Sequence, residues 1–135
     1  MPVQPVCLGL ILCEAVVHHP ETGRMDILGS FWEVDVPTFP ANTGPITAWV
    51  AVVNGAGRVR MRLKFELLPP DRPEEEPIVD IPFTMDFTDP RQIQMYVNEI
   101  QGIDLVGPGQ YRVTLTAYDA TLVEGYFIAR TRSAN

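Results

Sequence analysis

The stretch RVRMRLKFELL, residues 58–68, alternates without interruption over most of its length. Val59, Met61, Leu63, Phe65 and Leu67 fall on one face, and Arg58, Arg60, Arg62, Lys64 and Glu66 on the other. Successive side chains of a strand point to opposite faces, so this period of two predicts a half-buried β-strand. It excludes an amphipathic helix, whose apolar residues recur every three or four positions. The preceding run, residues 46–53, is almost wholly apolar. Asn54, Gly55, Ala56 and Gly57 between the two runs include residues tolerant of positive φ, so the pair is expected to form a hairpin.

The same period recurs outward along the chain. In residues 78–87, Val79, Ile81, Phe83, Met85 and Phe87 share a face against Asp80, Pro82, Thr84 and Asp86. Pro82 has no N–H to give to a ladder, which places this strand at a sheet edge or at a bulge. Residues 110–119 alternate again, residues 93–97 form a shorter strand, and residues 122–131 form the last, with a turn at 119–121. Near the start, residues 6–19 and 25–36 flank Pro20, Glu21, Thr22 and Gly23 and predict a second hairpin. The apolar parity changes there, from Ile27 and Phe31 to Trp32, Val34 and Val36, which predicts a β-bulge near residues 29–32. About eight strands separated by Gly, Pro and Asn turns imply an all-β, two-sheet antiparallel sandwich of immunoglobulin-like type, with a closed barrel second.

Composition agrees. The 135 residues, 46% apolar, suit a single sandwich domain over residues 1–135, and 13 Pro with 10 Gly leave no room for a long helix. Ten basic and 17 acidic residues give a net charge of −7, and the overall balance excludes collagen, extended coiled coil and a disordered chain. The run PPDRPEEEP, residues 69–77, reads as a solvated, fairly stiff connection within the domain. The apolar run at residues 6–13 has no basic residue before it and Glu14 directly after it, so it reads as a strand rather than a secretion signal. A cytoplasmic protein with no membrane span is the expectation. Cys7 and Cys13 would lie about 20 Å apart along one strand, too far to bridge. Their equal parity puts both on one face as reduced core thiols.

Two segments carry a resemblance. LCEAVVHHPETGRMDILGSF, residues 12–31, resembles the opening of a family of small uncharacterised bacterial proteins through Cys13, Glu14, Gly23, Arg24, Gly29 and Phe31. GPGQYRVTLTAYD, residues 107–119, is similar to that family's second recurrent piece, a Pro-Gly turn leading into a strand with an early Tyr. The resemblance implies a compact β-sandwich of unknown function and supplies no reaction. His18 and His19 depart from the family's pattern.

Chemistry is sparse. Cys7, Cys13, His18 and His19 have zinc-ligand side chains without zinc-site spacing, so no metal and no cofactor are expected. No nucleophile motif or phosphate loop occurs, and the chain is not expected to be an enzyme. The most distinctive polar feature is the ladder of Arg58, Arg60, Arg62 and Lys64, which Asp80 and Asp86 on a neighbouring strand, or Glu74, Glu75 and Glu76, would pair across a sheet. The acidic net charge opposes nucleic-acid binding. If Ile46, Ala48, Val50 and Val52 face inward, Trp49 and Val53 face out, and Tyr118 lies on the outer face of its own strand. The opposite assignment puts Trp49 in the core. Arg58, Arg60, Arg62, Lys64, Trp49 and Tyr118 are therefore the candidate partner-binding residues. The expectation is a non-catalytic module acting through protein contact, self-associating as a homo-oligomer because residues 6–17 and 46–53 are apolar on both faces. The alternative is a small-ligand or carbohydrate-binding module.

Overall fold

A computed structural model describes residues 4–68 and 78–132, so the Pro-rich acidic run at 69–77 and its expected pairing with the basic ladder lie outside the described residues. Twelve strands occur among them: β1 (Val6–Cys13), β2 (Ala15–His19), β3 (Arg24–Leu28), β4 (Glu33–Val36), β5 (Ala41–Asn42), β6 (Ile46–Val53), β7 (Gly57–Leu67), β8 (Val79–Phe87), β9 (Gln94–Ile100), β10 (Asp104–Leu105), β11 (Gly109–Ala117) and β12 (Ala120–Thr131). A three-stranded antiparallel sheet runs β1-β6-β9, and a five-stranded sheet runs β4-β12-β11-β7-β8. β2 and β3 form a separate hairpin, and β5 pairs β10 over two residues.

The sheets face each other because each has one continuous apolar row to hide. Ile46, Ala48, Val50 and Val52 of β6 meet Val59, Met61, Leu63 and Phe65 of β7 and Tyr111, Val113, Leu115 and Ala117 of β11 in one buried cluster. Tyr111 stacks on Phe127 with ring centres 5.1 Å apart, and its hydroxyl donates to the Gly107 carbonyl at 2.7 Å. That bond, from an early Tyr of the penultimate strand back to the turn before it, is the tyrosine corner of immunoglobulin-type sandwiches. The strand order agrees: β1 adds to one sheet, while β4 crosses to the other and pairs β12 in parallel. The fold is thus an all-β immunoglobulin-like sandwich, as the alternation implies.

The strand count exceeds eight because the first two expected strands are each cut in two and two short bridging strands are added. The first cut falls at Glu14, whose N–H donates to the carbonyls of Leu28 and Gly29. The second falls after Gly29, where the chain leaves the hairpin for the five-stranded sheet. The change of apolar parity near residues 29–32 therefore marks a switch between sheets, not a bulge within one strand. A bulge does occur earlier, between Cys7 and Gly9. It flips the side-chain parity, so Cys7 pairs with Val52 on the inner row and Cys13 with Thr47 on the outer row, and the expected shared face is lost.

A further correction concerns the central pair. β6 and β7 are not a hairpin: β6 lies between β1 and β9, and β7 between β11 and β8. Asn54, at φ 67°, turns the chain across the sandwich instead, with its N–H donating to the Pro90 carbonyl at 2.9 Å. The reason lies in the two patterns. β6 is apolar on both faces and β7 on only one, so strands with such different outer rows serve different sheets. By contrast, β8 is an edge strand, as Pro82 requires, and β11 and β12 form the expected hairpin, with its turn at Tyr118 and Asp119 rather than at 119–121, so that Tyr118 belongs to the turn and not to a strand face.

Candidate functional site

The outer face of the five-stranded sheet carries the basic ladder. Register places Arg58 opposite Asp86, Arg60 opposite Thr84, Arg62 opposite Pro82 and Lys64 opposite Asp80 on β8. Two of the expected cross-strand pairs form: Arg58 Nε donates to Asp86 at 3.2 Å, and Arg62 reaches diagonally to Asp80 at 2.9 Å. On the other side of β7, Thr114 lies opposite Lys64 and Thr116 opposite Arg62, while Arg112 reaches Glu66 at 3.4 Å. Further along the sheet, Arg130 forks between Glu33 at 2.8 Å and Asp35 at 2.7 Å, and those two carboxylates hold its guanidinium pKa above the ordinary value.

Arg60, Arg62, Lys64, Thr84, Thr116 and Tyr118 line a shallow trough of about 840 Å³. Tyr118 forms its end wall from an unusual backbone. The β11–β12 connection has two central residues, Tyr118 at φ 55° and Asp119 at φ 94°. Such turns ordinarily use Asn, Asp or Gly, because a left-handed residue with a Cβ costs about 1–2 kcal/mol. Here the Tyr118 hydroxyl donates to the Arg58 carbonyl at 3.0 Å and its N–H to the Arg60 carbonyl at 3.2 Å, so the ring lies across β7 beside the ladder. The structure thus gathers Arg58, Arg60, Arg62, Lys64 and Tyr118 into one area.

Trp49 lies elsewhere. It faces outward from β6, between Ile11 of β1 and Val97 of β9, on the opposite side of the sandwich. Val6, Gly9, Ile11 and Cys13 share its face from β1, Thr47, Ala51 and Val53 from β6, and Met95, Val97 and Glu99 from β9. Only Glu99 of these is charged. The indole lies over Gly9, where an added Cβ would come within 3.3 Å of its ring, and its Nε1 is sealed from solvent without a hydrogen-bond partner among the described residues. Around it, Leu8 at the bulge is 55% exposed and Ile93 just before β9 is 58% exposed.

Among the residues that carry the family resemblance, Cys13 and Gly29 have evident structural roles. The Cys13 thiol is buried and donates to the Thr47 carbonyl at 3.6 Å, and burial pushes the thiol pKa upward at both Cys13 and Cys7. Gly29 suits its φ of 66°, which residues with a Cβ rarely adopt, and the exposed Glu14 side chain packs over it. His19 pairs with Asp26 at 2.7 Å on the exposed hairpin, and among the described residues no three His, Cys, Asp or Glu side chains gather as metal ligands would. No helix is long and apolar enough to cross a membrane. Sequence reasoning did not single out Trp32, 74% exposed where the chain switches sheets. Its signal was its place at the parity change.

Comparisons place this geometry among known proteins. A model described as a family of unknown function, DUF6941, matches residues 8–126. No curated protein matches the chain. Among solved structures, an immunoglobulin-like protein from Pseudomonas aeruginosa is 12% identical, with 94% of this chain and 97% of that one covered at a TM-score of 0.37. A β-glucosidase from Kluyveromyces marxianus, solved in complex with glucose, is 18% identical, with 82% of this chain covered at a TM-score of 0.47. The match spans only 16% of the β-glucosidase's length.

Proposed function

The chain belongs to the DUF6941 family, a family of unknown function, and we propose that it is a non-catalytic β-sandwich module that works by protein contact, pairing with a second copy of itself. The observation that carries this reading is the outer face of the three-stranded sheet, where Ile11, Trp49, Val53, Met95 and Val97 form an apolar surface flanked by exposed Leu8 and Ile93. An apolar sheet face of this kind on a small protein supports reading it as a contact site.

Charge selects the occupant. Two copies that each carry −7 repel at long range, and the face on which they approach at least cost is the one whose paired rows hold a single carboxylate, Glu99. A sheet face also meets its own copy about a two-fold axis without needing a second surface.

Sedimentation velocity over a dilution series tests the reading. The wild-type chain is expected to shift from dimer to monomer across the micromolar range. Met95→Lys, which sets a charge on the apolar face beside Ala51 of the central strand, is expected to weaken the dimer by about 100-fold or more while leaving a folded monomer, because an unpaired charge is costly at an interface. A wild-type chain that stays monomeric at high micromolar concentration overturns the proposal.

A further inference from the structure

The trough on the opposite face has a chemistry of its own, independent of self-association. We propose that it binds an extended acidic peptide, with carboxylates at alternate positions, from a partner protein. Three features of the trough converge on this ligand.

The first is period. Arg60, Arg62 and Lys64 project from one face of β7 at every second residue, about 7 Å apart. An extended peptide presents its own alternate side chains at the same spacing and with the same hand of twist. Carboxylates at positions one, three and five therefore stay in step with the three cations. A block of consecutive acids does not, because half of them point away.

The second is the hydrogen-bonding and aromatic surround. Thr84 flanks Arg60 on β8 and Thr116 flanks Arg62 on β11, which puts neutral hydroxyls on both sides of the ladder. They offer donors and acceptors to a peptide backbone. Tyr118 closes one end with a ring that is 48% exposed, held in a left-handed conformation by its bonds to the Arg58 and Arg60 carbonyls. Strained residues that the surrounding structure pins in place concentrate at binding sites.

The third is charge placement. The Arg62–Asp80 and Arg58–Asp86 pairs show that carboxylates reach this ladder from a neighbouring extended segment. Asp80, Asp86 and Asp119 also stand around the rim. Those rim carboxylates and the net charge of −7 disfavour a uniformly charged nucleic-acid strand, whereas a peptide with neutral residues between its acids avoids the rim.

Fluorescence anisotropy with the full chain tests the proposal, using a dye-labelled octapeptide that alternates glutamate and threonine. A peptide of the same composition with its glutamates in one block, the glutamine version, and a thymidine oligonucleotide of matched charge serve as competitors. The alternating peptide is expected to bind at least about fivefold more tightly than the block, and affinity is expected to fall with added salt. The double variant Arg60→Ser with Lys64→Ser is expected to lose about tenfold. Tyr118→Asn, which suits the left-handed turn, is expected to lose a few-fold with its melting temperature little changed. Arg91→Ser removes a cation outside the trough and is expected to bind as the wild type does. Equal affinity for alternating and blocked peptides, tighter binding of the oligonucleotide, or unchanged binding by a folded Arg60→Ser, Lys64→Ser double variant would each overturn it. The Met95→Lys monomer retains the whole trough, so loss of the dimer and loss of peptide binding are separable results.

Discussion

The two sheets turn opposite outer faces to their surroundings. On the three-stranded sheet, β6 is apolar on both rows, and its outward row of Thr47, Trp49, Ala51 and Val53 continues the apolar character of Ile11 and Val97 on either side. On the five-stranded sheet, β7 is apolar only inward, and its outward row is a line of cations answered by Asp80 and Asp86. Both sheets bury equally apolar inner rows. What separates them is therefore the outer row alone, apolar on one sheet and cationic on the other.

The sharpest way to break the contrast is to strip the apolar face of its largest group. Trp49→Ala uncovers Gly9, and is expected to cost about 2–3 kcal/mol in chemical denaturation and to weaken the proposed dimer as well. Trp49→Phe is expected to cost about 1 kcal/mol, because the indole Nε1 has no hydrogen bond to lose among the described residues. A Trp49→Phe loss as large as the Trp49→Ala loss would show that the indole N–H, rather than its area, holds this face.

Next in size is Tyr111, which anchors the five-stranded sheet from its buried side. Tyr111→Phe is expected to cost about 1 kcal/mol through the hydrogen bond to Gly107. Burial raises the Tyr111 pKa above the ordinary value of 10.0, so the folded state holds this proton more tightly than the unfolded chain. Its contribution is therefore complete below about pH 10 and declines as the pH rises through the folded pKa. Urea midpoints measured up to about pH 11 should fall less steeply for the Phe variant, and salt should alter neither curve much.

The smallest effect belongs to the outer ladder. A double-mutant cycle on Arg62 and Asp80 is expected to give a coupling below about 1 kcal/mol, diminishing as salt is added, because both side chains meet water. A salt-insensitive coupling above that size would mean that the ladder acts as a structural buttress rather than an accessible recognition surface.

Much of this contrast was legible in the order of residues. The alternation at residues 58–68 gave β7 its inner and outer rows, the proline at position 82 gave β8 its edge, and Asp80 and Asp86 answered the ladder as their parity required. The pairing of β6 was not legible. A positive-φ residue at Asn54 serves a crossing between sheets as readily as a hairpin, and only the difference in outer rows separates the two. The cysteines were misplaced because one inserted residue, Leu8, reverses everything before it relative to everything after, and no side chain announces an insertion of that kind. Trp49 and Tyr118 were grouped as candidates for one surface, yet they lie on opposite faces of the molecule, since the sheets they belong to emerge only from pairings distant in sequence.

The parallel pairing of β4 with β12 has a mechanical consequence. Ile128 donates to the Trp32 carbonyl at 2.8 Å and Arg132 to the Val36 carbonyl at 2.6 Å, so the two strands are joined along their length in the same direction. A pull applied to the chain before β4 and after β12 loads those bonds in shear, all together, where an antiparallel hairpin pulled from its open end would yield them one at a time. The Arg130 fork to Glu33 and Asp35 crosses the same line. A force applied at the start of β4 and the end of β12 is therefore met by the whole seam at once, and the chain between them, from β5 through β11, lies inside the loop that the seam closes.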